Sequence, residues 1–292
     1  IVIDPYLTKY ELNSFENCPL LHHFEFSSSV EKIHKGFNLI ELGEITKITV
    51  PFSVTLIESS SFKNFQSIKE ITISPSVSEI GEFAFSGCCN LEKVIIDPYQ
   101  TQLKSNSFEN CSSLLNFEFF SSVTSIQQFN FSELGKIEKI TIPKTVETIG
   151  NYSFYSFSTL KEIEIPESVK NIGKQSFCSC SKLEKVTILS KINSISPCTF
   201  KGCSSLKEIE IPESVNTIGN YAFSDCSSLI EIKIPSEVKT MGVGVFKGCS
   251  SLIKIKIPDS LSLISFSAFN GCSSLVSINI PCCVKSIGNF AF

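Results

Sequence analysis

Apolar and polar positions follow one short phrase that returns along most of the chain. It begins apolar-x-x-apolar-x-apolar, as in Leu160-Lys-Glu-Ile163-Glu-Ile165. The closing alternation has the period-two signature of a half-buried strand, with Ile163 and Ile165 inward and Glu162 and Glu164 outward. The starts fall at Leu21, Ile45, Ile68, Leu91, Leu114, Ile137, Leu160, Leu183, Leu206, Leu229, Leu252 and Leu275, and every step is 23 residues except the first, which is 24. A proline then closes many of these strands (Pro51, Pro143, Pro166, Pro212, Pro235, Pro258, Pro281), because it has no N–H to give to a ladder. A second apolar pair follows, as in Val215-x-x-Ile218, and then usually Gly (81, 150, 173, 219, 242, 288). Gly suits a corner with positive φ, although Ser196 and Ser265 fill that position in two repeats, so positive φ is not obligatory. The remainder, Asn220-Tyr-Ala-Phe223-Ser-Asp-Cys226, spaces apolar residues three apart and predicts a single helical or 3-10 turn.

One column is unbroken: Phe stands at every twenty-third residue from Phe62 to Phe292. A fixed period of this size predicts a solenoid of stacked units, each burying its apolar face against its neighbours. A length of 292 residues would otherwise suggest two globular domains; the repeat points to one continuous solenoid over 1–292. A longer repeat overlies the short one. Ile1-Val-Ile-Asp4-Pro5-Tyr6 returns as Val94-Ile-Ile-Asp97-Pro98-Tyr99, and Asn13-Ser-Phe-Glu-Asn-Cys18 returns as Asn106-Ser-Phe-Glu-Asn-Cys111. Residues 1–93 and 94–186 therefore read as a duplicated block of four repeats. The chain starts inside a repeat at Ile1 and stops inside another at Phe292, as a piece of a longer protein would.

The thirteen cysteines fit the same frame. Cys88, Cys111, Cys180, Cys203, Cys226, Cys249 and Cys272 share a column that holds Leu42, Phe65, Leu134 and Phe157 in other repeats. A position that accepts Cys, Leu and Phe is a core position, so these are expected to be buried, reduced thiols. Side chains in a parallel ladder point the same way, whereas a disulfide needs them to converge.

The repeat L-x-x-I-x-I-P-x-x-V-x-x-I-G-x-x-A-F-x-x-C resembles the leucine-rich repeat, in particular the BspA-like class of bacterial and protist surface proteins. That resemblance implies a right-handed, horseshoe-like solenoid (α/β by the usual classification, with few or no long helices), its first strands lining the concave face. It also implies a protein- or matrix-binding role, often at the cell surface or secreted. The Asn ladder of the commonest leucine-rich repeats is absent, and Ser (122, 168, 214) often precedes the Val instead. The buried turn must then find its hydrogen bonds another way.

All 25 basic residues are Lys, and the net charge is −4. Without Arg, the fork that reads phosphate and guanine, and without a basic run, nucleic acid is not an expected partner. No apolar run reaches 18 residues, so no membrane insertion is expected within this chain, and no signal peptide is visible. His22, His23 and His34 fall on surface positions with no nucleophile pattern. Asp4, Asp97, Asp225 and Asp259 do not cluster in the repeat frame. Met241-Gly-Val-Gly-Val-Phe246 occupies a repeat corner and is no phosphate loop. Cys178, Cys180, Cys198 and Cys203 form the best zinc candidate. However, Cys180 and Cys203 belong to the core column, and spacing alone does not make a tetrahedral site. No metal, cofactor or catalytic residue is expected. Sequons at Asn110, Asn130 and Asn151 would carry glycans on a secreted protein, with Asn110, next to a core Cys, the least accessible.

The third strand position reads Lys47, Glu70, Lys93, Asn116, Lys139, Glu162, Lys185, Glu208, Glu231, Lys254. These mostly alternating signs are expected to form a charge ladder that fixes register. The second position is mostly polar or charged, Leu115 excepted, until three consecutive repeats place Ile230, Ile253 and Val276 there, beside Lys233, Lys256 and Asn279. If that position faces outward, the result is an apolar stripe rimmed by positive charge, and a contiguous exposed patch marks an interaction site; alternatively, the side chains lean inward and extend the core. The reading is a non-enzymatic scaffold for a protein or extracellular-matrix partner. The alternative is a structural spacer carrying a further domain.

Overall fold

In the computed structural model, residues 2–4, 6, 21–34, 44–97, 101–134 and 136–292 are described. The Asn13–Cys18 copy of the longer repeat, Leu42 of the Cys column, and Pro98 and Tyr99 lie outside them. The chain forms two compact units, one of residues 1–120 with 129–140 and the other of residues 121–128 with 141–292.

In the first unit the main strands Val2–Ile3, His23–Phe26, Lys47–Val50, Glu70–Ile73, Lys93–Ile96 and Asn116–Phe119 lie side by side, one per repeat. The pairings among the described residues are parallel and offset by one repeat, such as Lys47 with Glu70 and Asn116 with Lys93. In the second unit Glu162–Ile165, Lys185–Ile188 and Glu208–Ile209 form one such run. Glu231–Lys233, Lys254–Lys256 and Ser277–Asn279 form another, with a single bridge from Glu210 to Lys233 between the runs. Strand residues alternate exposed and buried as the sequence predicts. The expected charge ladder is in register: Lys47 pairs Glu70 at 2.9 Å, and Lys207 pairs Glu184 one position earlier at 2.7 Å.

The second apolar pair forms a separate ladder of two-residue strands, such as Lys32–Ile33, Leu56–Ile57, Glu79–Ile80 and Gln102–Leu103 in the first unit. The turn that follows is a run of i to i+3 bonds, for example Ser224 N–H to the Tyr221 carbonyl at 3.2 Å and Cys226 N–H to the Phe223 carbonyl at 3.3 Å. Only Phe131–Leu134 closes into a 3-10 helix among the described residues. This segment makes a third inter-coil ladder. Phe177, Phe200, Phe223 and Phe246 each donate their N–H to the residue before the next coil's Phe, at 2.8–2.9 Å.

The core lies between these ladders. From Phe154 through Phe269 the column rings are buried and nearly parallel, with neighbouring centroids 5.0–5.7 Å apart. Cys180, Cys203, Cys226 and Cys249 are wholly buried, and none is cross-linked. Each donates its S–H, at 3.1–3.2 Å, to a Phe carbonyl one coil back: Phe154, Phe177, Phe200 and Phe223 respectively. The thiol is a second donor to a carbonyl that already accepts the N–H three residues on, such as Cys226 N–H on Phe223, so Leu or Phe in the same column leaves no carbonyl unpaired. The missing Asn ladder is replaced by hydroxyls. Ser76, Ser168, Ser214 and Ser260, each just before the Val position, donate to the preceding coil's Val or Ile carbonyl at 2.5–2.8 Å.

The corner glycines depart from expectation. None of Gly81, Gly150, Gly173, Gly219, Gly242 and Gly288 has positive φ. A Cβ on Gly173 would sit 2.5 Å from the backbone carbon of Gly150, and one on Gly242 would sit 2.4 Å from the Asn220 nitrogen. Gly is needed there because one coil's backbone lies directly against the next. Positive φ falls instead two and six residues later, at Tyr221 (55°) and Asp225 (61°) in one coil and at Cys198 and Gly202 in another.

Candidate protein-contact surface

In most coils the first, fourth and sixth strand positions take the core, although in the Leu275 coil Leu275 and Ile278 are only half-buried and Ile280 is exposed. In one coil Leu229 is 0 %, Ile232 2 % and Ile234 6 % exposed. The second position therefore points outward: Ile230 and Ile253 are each 50 % exposed and Val276 85 %. The first two are joined directly, Ile253 N–H donating to the Ile230 carbonyl at 3.0 Å. In-register pairing of Lys254 with Ser277 carries Val276 alongside. Among strand second positions, Leu115 is similarly exposed, but alone in its run.

Lys233, Lys256 and Asn279 are exposed and aligned, Lys233 opposite Lys256 and Lys256 opposite Asn279. The rim is more mixed than the sequence suggested. Lys233 Nζ is 2.6 Å from Glu213 Oε1, a bond that holds its pKa above the ordinary 10.5. Glu231 stands opposite Lys254 across the rung. Positive and negative charge thus alternate beside the stripe.

The remaining candidates are not drawn together. His22, His23 and His34 are exposed. His22 Nδ1 lies 3.2 Å from the Glu44 carbonyl oxygen, and His23 Nε2 lies 2.8 Å from Thr49 Oγ1. Of the four thiols Cys178, Cys180, Cys198 and Cys203, Cys180 and Cys203 are committed to Phe carbonyls. Burial pushes Cys180 up to about 12, the reverse of what a ligating thiolate needs. Among the described residues no group of three His, Cys, Asp or Glu side chains is placed to hold a metal ion, and no helix is long and apolar enough to cross a membrane. Asn110 is exposed like Asn130 and Asn151, a correction to the expectation that its buried neighbour would hide it. Asn151 is built into the stack, its Oδ1 accepting the Lys174 N–H at 2.8 Å. The sequence reading also missed Leu189, 47 % exposed where neighbouring repeats carry Pro. The missing Pro was its signal.

A family model described as the BspA type leucine rich repeat region (6 copies) matches residues 1–88, 39–161, 124–253 and 239–292. No curated protein matches the chain. Among solved structures, the chain is similar to a leucine rich cell surface protein from Faecalibacterium prausnitzii (27% identity, 93% of this chain and 78% of that one, TM-score 0.48). It is also similar to leucine-rich repeat proteins from Bacteroides ovatus (24%, 90% and 74%, TM-score 0.45) and Eubacterium ventriosum (18%, 100% and 87%, TM-score 0.40).

Proposed function

Because the chain belongs to the BspA-type leucine-rich repeat family, and is therefore a non-enzymatic repeat scaffold, we propose that it binds a protein or extracellular-matrix component at the cell surface. In this reading Ile230, Ile253 and Val276 form the contact, with Lys233, Lys256 and Asn279 beside them. The supporting observation is the run of three apolar side chains on successive coils, each at least half exposed. Scattered exposed apolar residues are ordinary, whereas a contiguous row has a cost in water that a partner relieves. The alternating rim charges suit a polar interface edge that sets orientation more than affinity.

The test is a triple change of Ile230, Ile253 and Val276 to Ser, read on a surface coated with extracellular-matrix extract. Binding should drop about tenfold or more, the effect of losing roughly 1.4 kcal/mol or more at a contact. Because the three side chains already face water, the melting temperature should stay within a few degrees of the parent. Unchanged binding would remove the stripe as the contact and favour a spacer role.

A further inference from the structure

A different face of the second unit carries a site that the family assignment does not touch. The short ladder of second strands is continuous from Ser125–Ile126 through Thr148–Ile149 to Asn171–Ile172, and stops there. It resumes as a new ladder at Ser194–Ile195, Thr217–Ile218 and Thr240–Met241. The corner bond also changes at this point. At the Gly corners the backbone N–H reaches the previous coil: Gly150 to Ile126, Gly173 to Ile149, Gly219 to Ile195 and Gly242 to Ile218, at 2.7–2.8 Å. At position 196 the residue is Ser. Its hydroxyl, not its N–H, reaches the Ile172 carbonyl at 2.5 Å, whereas Glu58 and Lys104, at other non-Gly corners, keep the N–H bond to Ile33 and Ile80. The preceding rung is open too. Lys170 N–H bonds Glu147 and Asn216 N–H bonds Asn193, but no rung joins Asn193 N–H to the Lys170 carbonyl.

A groove of about 390 Å3 opens along this break, lined by Gln127, Asn151, Lys170, Asn171, Asn193 and Ser194. The volume falls in the range of small-ligand sites, ~300–1,000 Å3. Its chemistry is amide, hydroxyl and open backbone. The single charge, Lys170, is already paired with Glu147 at 2.8 Å, so the groove has no net charge to attract an anion. No aromatic or exposed aliphatic side chain lines it, so it has no pocket for an apolar peptide anchor. Asn151 Oδ1 is taken by the Lys174 N–H and Gln127 Nε2 by Ser125 Oγ; the amides of Asn171 and Asn193 offer a donor and an acceptor side by side, which matches adjacent hydroxyls on a sugar ring. We propose that this groove is a binding site for a neutral saccharide.

The test uses the unglycosylated chain from a bacterial host, so that Asn151 stays bare. The probes are tetrasaccharides of glucose, mannose and N-acetylglucosamine, with a sulfated heparin tetrasaccharide and tetraalanine as contrasts. Saturation-transfer NMR and titration read binding. Ser196→Gly restores the residue of the neighbouring corners. It should close the ladder, keep or raise the melting temperature, and weaken binding of the preferred neutral sugar about tenfold. Ser265→Gly serves as control: the same hydroxyl substitution occurs there, Ser265 Oγ to the Met241 carbonyl at 2.6 Å, but Thr240, Ser262 and Leu263 stand where the groove has Asn171, Asn193 and Ser194. It should leave binding unchanged. Asn171→Ala, at an exposed position, carries the test if Ser196→Gly is poorly folded, and should also weaken binding. Failure of the parent chain to bind any neutral probe would overturn the proposal, as would preference for the sulfated sugar or the peptide, or full binding by Ser196→Gly or, where that variant is unfolded, by Asn171→Ala.

Discussion

Phe223→Ala is the most direct probe of what holds the coils together. The ring is fully buried, and its centroid lies 5.6 Å from that of Phe200 and 5.5 Å from that of Phe246, both nearly parallel to it. Truncating a buried Phe costs about 3–5 kcal/mol from lost transfer energy and the cavity left behind. Here two aromatic pairs are also lost, each contributing ~0.5–1.5 kcal/mol beyond area. The expected cost therefore sits at the upper end, about 4–5 kcal/mol. Phe292 provides the internal comparison. It is 50 % exposed and stacks on Phe269 at 5.5 Å, so Phe292→Ala should cost only about 1–2 kcal/mol. Urea unfolding of both variants gives the two numbers. Amide exchange locates the damage, because repeats couple through nearest neighbours. The Phe200 and Phe246 N–H groups, bonded to the Ala222 and Ala268 carbonyls at 2.8 and 2.9 Å, should lose protection first. If Phe223→Ala cost no more than Phe292→Ala, the stacked column would not be the core.

Three further outcomes follow from named contacts. Gly173→Ala should cost about 2 kcal/mol in urea melts, since its Cβ would meet the Gly150 backbone at 2.5 Å and the rung to Ile149 would open; an unchanged midpoint would contradict the close-approach argument. Ser168→Ala should cost ~1–2 kcal/mol, because the buried Val146 carbonyl loses its 2.7 Å donor, while Ser168→Thr should retain most of the stability. Burial, the largest cause in each case, raises Cys111 and Cys180 to about 12 and Cys272 to about 11 from the ordinary 9.0. Their folded pKa values lie above the unfolded value, so the stabilisation is complete below pH ~8.5 and drains as pH rises towards 11–12. Reduced protein should therefore melt progressively lower above about pH 9, and the gap between parent and Cys180→Val should shrink over the same range; a constant gap would remove the thiol from the linkage.

Strands, Phe column and Cys column were legible because each is a periodic apolar position, and periodicity reports burial directly. The Ser before each Val was visible as a pattern, but its partner was not, because the carbonyl it reaches belongs to the previous coil. The forward ladder from the Phe N–H groups was illegible for a related reason: every non-Pro residue carries the same N–H and C=O, so sequence does not label which are joined. Of the two positive-φ columns, one carries Gly, Asn or Asp in most repeats (Asn64, Gly87, Asn110, Gly202, Asp225, Gly248, Gly271) and could have been read, whereas the other is mostly bulky and carries no such mark. Tyr152, Gln175, Cys198 and Tyr221 all adopt φ of 55–59°. Such a conformation has a local cost for bulky residues and persists where surrounding structure over-determines it. Here successive bonds to the next coil, such as Tyr221 N–H to Val243 and Phe223 N–H to Val245, supply that constraint. The stripe was visible as a change of residue type, and its direction became clear only once Leu229 and Ile232 were seen to fill the inward places.

The same logic explains why departures from the repeat are informative. A stack propagates one geometry as long as each coil repeats the last, so its surface is set by the positions that break the pattern. At 196 a Ser hydroxyl bonds the previous coil where the flanking Gly corners use an N–H, and the short ladder is interrupted there, while the Phe177 N–H still bonds the Thr199 carbonyl at 2.9 Å on the far side of the coil. The break is therefore local: one ladder opens, the core does not. Polar to apolar at 230, 253 and 276 changes no backbone bond and alters only what the face presents. The first kind of change makes space and the second makes adhesion. Both are tolerated because the Phe and Cys columns, untouched in the same coils, hold Phe200 and Phe246 at 0 % exposure.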